Sequence, residues 1–220
     1  MLSETAVEEF VAKFVEDNDT VAIGTSKLGE DFLVKLALHA EKENLNIKIV
    51  PTSSHMAQII SHLRLPMASI NDLQIDLAFE FVELIDAEFN FIKNKTFSLV
   101  RDKIIAQTAN KLIVIADREN YVKKLKGEIA FEIVKFGWKH SLAELERLGK
   151  ARMREGKNGF FTTETGNYLA DVQVDEIIDL HDLDYATKKI PGVIETSLFI
   201  GCADKVILHD DQIHVKSRIF

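Results

Sequence analysis

The chain has 220 residues and a mass of 24.9 kDa, with 46% hydrophobic and 28% charged side chains. That is enough to build a core without disulfides or a structural metal. Its 27 basic against 35 acidic residues leave a formal charge of −8, which argues against nucleic acid or an anionic membrane as the main partner and leaves room for a local basic pocket. The single cysteine, Cys202, excludes an intrachain disulfide and fits a reducing compartment.

Residues 1–14 set Glu4, Glu8 and Glu9 among Val7, Phe10, Val11 and Phe14, the pattern of an amphipathic helix. They lack the basic start and apolar centre of a secretion signal, so a cytoplasmic address is expected. No apolar run approaches the ~20 residues that span a bilayer. Residues 20–24 (TVAIG) form a short β-branched run ending in glycine. Beyond it, Leu28, Phe32 and Leu36, with Leu33, Ala37 and Ala40, fall at helical spacing over residues 27–43. Strands are predicted at 46–50, 67–70 and 75–80, with Ser53 or Ser54 capping a helix that runs to about His62. Ser98 caps another to about Asn110, and residues 112–116 (LIVIA) are apolar throughout, as in a strand buried on both faces. Strands alternating with helices predict an α/β fold, a doubly wound and mostly parallel sheet with right-handed crossovers.

The pattern changes after about Leu125. Strands are predicted at 129–134, 160–163, 168–174 and 193–200, and helices at 138–148 and 183–190. That order describes a smaller ferredoxin-like α+β domain. Residues 205–208 and 213–216 flank His209 to Gln212 as a hairpin whose strands rejoin the main sheet. The expected division is a large α/β domain of residues 1–127 plus 201–220 and a small α+β domain of residues 128–200.

Open parallel sheets bind ligands beyond the carboxyl ends of their strands, which directs attention to the segments after Gly24, Val50, Glu80 and Ala116. Glu80, Glu83 and Asp86 follow one such end, and Lys93, Lys95, Arg101 and Asp102 come soon after. Together they supply carboxylates to move protons and cations to stabilise a developing oxyanion. The histidine pairs His55 with His62 and His209 with His214 have no supporting ligand signature, so no metal is expected. Cys202 is expected to be a small, partly buried side chain.

Residues 77–117, LAFEFVELIDAEFNFIKNKTFSLVRDKIIAQTANKLIVIAD, resemble without a gap the catalytic segment of ribose-5-phosphate isomerase type A. The family writes that segment approximately as DGADEVD, NLIKGGGGAL, REKI and a hydrophobic strand. IGT at 23–25, TETGNYLADV at 163–172 and IPGVIE at 190–195 extend the similarity over nearly the whole chain. The resemblance implies a doubly wound large domain with a small α+β domain. It also implies interconversion of ribose 5-phosphate and ribulose 5-phosphate through an enediolate, with no cofactor and in a homo-oligomer. It puts the family's base glutamate at Asp102, its two motif aspartates at Glu80 and Glu83, and its lysine at Lys93. Thr25, Lys27 and Lys126 are the phosphate-binding candidates.

Every acidic position of that set keeps its charge and changes its length. A misplacement of about 1 Å can cost about a hundredfold in rate. The glycine loop is replaced by residues 94–98, NKTFS, in which Phe97 is expected to compete with the sugar for space. The turn GTSKL at 24–28 lacks one glycine and one hydroxyl of the family's GTGST, and Glu164 and Thr165 replace an Asp and an Asn. Two readings follow: an isomerase with an altered site, or a non-catalytic sugar-phosphate-binding or regulatory protein on the same scaffold. A third, a partner-binding descendant, predicts an exposed apolar patch in place of a polar cleft.

Overall fold

Strands without hydrophobic alternation need cover on both faces, and the first half of the chain supplies it. The computed structural model describes residues 4–174, 176–210 and 213–217. It begins with α1 (Glu4–Phe14), β1 (Thr20–Ile23), α2 (Lys27–Glu43), β2 (Lys48–Pro51), α3 (Ser54–His62) and β3 (Leu77–Phe81). The two-residue strands β4 (Leu84–Ile85) and β5 (Phe91–Ile92) follow, then α4 (Leu99–Thr108) and β6 (Lys111–Asp117). Both β1 and β3 are buried at every position. One face of the sheet packs on α1, α2 and α3 through Val11, Phe32, Leu36, Met56 and Phe79. The other packs on α4 through Ala78, Ile105, Leu112 and Val114, beside the stacked rings of Phe91 and Phe199.

Ser26, Ser53 and Ser98 cap α2, α3 and α4, each hydroxyl accepting the amide three residues on. That settles the cap of α3 on Ser53. The strand expected at 67–70 does not form. Met67 makes a single parallel bridge to Ile49, and Pro66 before it has no amide to donate to a ladder.

A second sheet is built from β7 (Gly127–Ile133), α5 (Trp138–Leu145), β8 (Gly149–Met153), β9 (Glu155–Gly156), β10 (Gly159–Phe160), β11 (Tyr168–Val174), α6 (Leu180–Lys188) and β12 (Val193–Thr196). Its order, β12-β7-β11-β8, is antiparallel throughout, the ferredoxin-like arrangement. Its second strand is β8 and not the expected 160–163. Phe160 belongs to the two-residue pairing of β9 with β10, and Thr162 makes only a bridge to Tyr168. The strand expected at 193–200 divides between two sheets, because β13 (Leu198–Phe199) pairs with β5.

The chain then returns. β14 (Lys205–His209) pairs in parallel with β6, and β15 (Ile213–Ser217) pairs antiparallel with β14. Asp211 and Gln212, in the turn expected between them, lie outside the described residues. The main sheet reads β15-β14-β6-β3-β1-β2, so the winding reverses between β1 and β3. The crevice at the carboxyl ends of those two strands is where such a sheet receives a ligand. Among the described residues no helix is long and apolar enough to cross a membrane.

Candidate active site

The ladder between β1 and β3 runs one bond past the end of β1, where Gly24 N donates to Phe79 O at 2.7 Å. This holds Gly24 against Glu80 so closely that a β-carbon at position 24 would overlap the carboxylate oxygen Oε2. Glu80 is fully buried, and its charge is met from the loop after β5. Lys93 Nζ donates to Glu80 Oε2 at 2.6 Å and lies 3.0 Å from Oδ2 of Asp102, in the first turn of α4. Lys93 and Asp102 are 1% and 3% exposed.

Two carboxylates around one ammonium leave one negative charge in excess in a dry site. Burial pushes the Glu80 carboxyl up to about 7, against the pull of Lys93 and with the repulsion of Asp102 added. For Lys93, burial favours the neutral amine, but Asp102 and Glu80 together outweigh it and hold the ammonium above its ordinary value. Both directions describe one arrangement, in which Lys93 stays charged and Glu80 carries the removable proton. Among the described residues Glu80 Oε1 has no hydrogen-bond partner.

The loop that replaces the glycine run is held by side chains. Glu83 does not join the buried trio, because its carboxylate accepts the amides of Asn94 at 2.8 Å and Lys95 at 3.4 Å. The Asn94 side chain donates to Glu128 O and accepts from Ala130 N. Thr96 Oγ1 accepts Ser98 N at 2.9 Å and donates to Asp102 Oδ2 at 2.5 Å. Ser98 Oγ donates to Glu132 Oε2 at 3.1 Å. Glu132, wholly buried on β7, also accepts from Thr163 at 2.8 Å, Asn167 at 3.0 Å, the Val100 amide at 3.1 Å, and Thr165. Its only signal in the sequence is an acid set among the apolar residues 129–133 of β7.

Outside the trio lies a cavity of about 400 Å³ lined by Thr25, Ser26, Lys27 and Glu30 at the start of α2, His55 of α3, Lys95, Thr96 and Phe97 of the loop, and Arg154 and Phe161. Thr96 touches both cavity and trio, and Thr25 follows Gly24. Thr25 Oγ1 donates to Ser53 Oγ at 2.8 Å and lies 3.0 Å from Thr52 Oγ1. Lys27 is 79% exposed and paired with Asp31 at 2.9 Å and Glu30 at 3.6 Å, so part of its charge is already met. Lys126 is exposed and does not line this cavity. Phe97 walls the cavity instead of filling it, its ring 6.4 Å from that of Phe161.

Arg154 grips Asp171 through Nε and Nη2 and donates from Nη1 to Asn94 O at 2.8 Å. Arg101 pairs with Glu164, which also accepts Ser54 N at 2.8 Å and so ties the 163–166 turn to α3. His55 lies 2.9 Å from Glu30, and His209 3.0 Å from Asp117. Among the described residues no three His, Cys, Asp or Glu side chains are grouped to hold a metal ion. A cleft of about 600 Å³ at the ends of α2 and α3 is larger, but its charged lining is only Glu41 and Arg64.

The model of the family described as ribose 5-phosphate isomerase A (phosphoriboisomerase A) matches residues 48–212. The chain belongs to that family. A relative named ribose-5-phosphate isomerase A 2, from Oceanobacillus iheyensis, is 31% identical over 211 residues and covers 94% of each chain. Ribose-5-phosphate isomerase A of Staphylococcus haemolyticus is 34% identical over 208 residues, 92% of this chain and 90% of that one. Among solved structures, a D-ribose-5-phosphate isomerase in complex with phospho-erythronic acid superposes with a TM-score of 0.91 at 29% identity, over 98% of this chain and 97% of that one. The ribose 5-phosphate isomerase A of Methanocaldococcus jannaschii gives 0.89 at 25% identity, over 96% of each. The mixed α/β architecture is thus that of the ribose-5-phosphate isomerase A family, as the 77–117 segment implied.

Proposed function

We propose that the protein interconverts ribose 5-phosphate and ribulose 5-phosphate through an enediolate in the crevice between β1 and β3. The observation that carries this reading is the meeting of Glu80, Lys93 and Asp102 in one buried cluster beside a cavity whose lining includes Lys27, Lys95 and Arg154 as well as Glu30. Asp102 takes the proton from C2 of the open-chain aldose and delivers a proton to C1, its carboxyl exchanging with solvent between the two transfers. The carbonyl oxygen at C1 gains negative charge as the C2 proton leaves. Lys93 stabilises that charge, and the proton on Glu80 is available to neutralise it. In the second half the C2 hydroxyl gives its proton back to Glu80 as the C2 carbonyl forms, so no atom is gained or lost.

The phosphate is assigned to the Thr25 hydroxyl and the amides at the start of α2, where the helix dipole favours an anion, with Lys27 and Lys95 at the rim. Glu83 acts through the loop backbone that it holds, and Lys126, which does not line the cavity, is given no part. The phospho-erythronic acid bound by the solved relative supports this reading. It is a phosphorylated sugar acid whose planar carboxylate carries charge much as an enediolate does.

The test is ketose formation from ribose 5-phosphate in deuterated water. Turnover with solvent deuterium appearing at C1, lost by about a thousandfold in Asp102→Asn, is the expected result. Turnover unaffected by Asp102→Asn removes Asp102 from the mechanism. Saturable binding without turnover supports the non-catalytic sugar-phosphate-binding protein instead.

A further inference from the structure

We propose that Thr96 is a positioning residue that fixes which oxygen of Asp102 takes the substrate proton. With Lys93 it anchors Oδ2 and leaves Oδ1 as the base. The inference rests on the isomerase reading of Asp102.

The direction of the contact follows from the donor inventory. Thr96 Oγ1 accepts the backbone amide of Ser98 at 2.9 Å. An ionised carboxylate only accepts, so the single hydroxyl proton of Thr96 goes to Asp102 Oδ2, 2.5 Å away. Lys93 Nζ reaches the same oxygen at 3.0 Å. Among the described residues no hydrogen bond is made to Oδ1. The Asp102 backbone is fixed by the helix, its amide bonded to Ser98 O at 3.1 Å. What remains free is rotation of the carboxylate, a broad and nearly two-fold torsion for aspartate. That rotation would exchange the two oxygens. Two donors on one oxygen oppose the exchange and aim the other oxygen in one direction.

Thr96 is itself held. Its hydroxyl closes a turn with the amide two residues on, a local bond that Thr commonly makes. It also lines the cavity beside Lys95 and Phe97, so substrate entering there passes the residue that orients the base. No other hydroxyl donates to Asp102 among the described residues.

The test compares Thr96→Val, which keeps the shape and removes the donor, with Thr96→Ser, which keeps the donor. The rate is followed with ribose 5-phosphate carrying hydrogen or deuterium at C2. The valine variant is expected to lose about ten- to a hundredfold in kcat with KM within about threefold. Its primary isotope effect should rise as proton abstraction becomes rate-limiting. The isotope effect does not depend on the fraction of molecules folded, so a merely structural role would leave it unchanged. Thr96→Ser is expected to restore kcat to within about threefold of wild type.

Wild-type kcat and isotope effect in Thr96→Val overturn the assignment, as does a serine variant no better than the valine one. If the wild type shows no turnover, the isomerase reading is what fails. Thr96 is then judged by the infrared carboxylate band that disappears in Asp102→Asn. A band displaced in Thr96→Val and not in Thr96→Ser upholds the hydrogen bond, and an unmoved band removes it.

Discussion

Glu80 lies directly against the α-carbon of Gly24. The position is glycine for lack of space, since it is not one of the residues with positive φ. A buried carboxylate tied to Lys93 at 2.6 Å has nowhere to swing. Gly24→Ala is therefore expected to cost about a hundredfold in kcat/KM and about 2 kcal/mol of stability. Shortening the acid relieves the overlap, so Gly24→Ala with Glu80→Asp should be more active than Gly24→Ala alone. Initial rates and urea unfolding measure both, and a double variant no better than the single one removes the steric explanation.

Glu80 also writes a pH dependence into the fold. Its carboxyl titrates near 7 in the folded protein against an ordinary value of 4.5. Between those values the folded state keeps a proton that the unfolded state has released. Stability from this group is full below 4.5 and falls as pH rises to about 7, by at most about 3 kcal/mol, then levels off. Lys93, raised from 10.5, loses its contribution only above that value and lies outside this window. Glu80→Gln stays neutral throughout. The stability of wild type relative to Glu80→Gln should fall between pH 5 and pH 8 in urea titrations, and a constant difference contradicts the buried proton.

Glu132 gathers donors from Ser98, Val100, Thr163, Thr165 and Asn167. Glu132→Leu takes that acceptor from the buried Ser98 and Thr163 hydroxyls and from the partly buried Val100 and Asn167 donors, and is expected to destabilise the protein by about 3 kcal/mol. Glu132→Gln, which keeps one acceptor oxygen, should cost less. Chemical denaturation ranks the two, and equal midpoints would show that the donors find other acceptors.

The cations around the cavity divide by position. Lys95 lines it from the loop, Lys27 is paired with Asp31 and Glu30, and Lys126 does not line it. Lys95→Ala should raise KM for ribose 5-phosphate about fivefold, Lys27→Ala by about twofold, and Lys126→Ala not measurably. Steady-state rates at low ionic strength decide, and a large effect at Lys126 would move the phosphate from Thr25.

The strands of the main sheet and the serine caps were legible because periodicity and capping act locally. Lys93 and Asp102 were legible because a gapless segment carries both. β8 was not, although GKARM and the following Arg154 alternate basic with apolar residues. Arg154 was missed with it. Glu83 lies past the end of β3, where strand alternation no longer fixes a side chain's direction. It turned to the backbone of the loop. From the sequence Phe97 competes with the sugar for space, because nothing local shows that its ring lies beside that of Phe161.

The parallel pairing of β14 with β6 sets Lys205 beside Ile113 across the whole of the intervening four-stranded sheet. During synthesis β6 is complete long before β14 exists, so its outer edge waits as an unpaired row of amides and carbonyls while the second sheet is made. Contacts this distant in sequence slow folding, and open edges recruit other chains. The period before β14 arrives is therefore when the nascent protein is most exposed to aggregation. Slowing translation of the last residues should raise the yield of aggregate while leaving the finished protein unchanged.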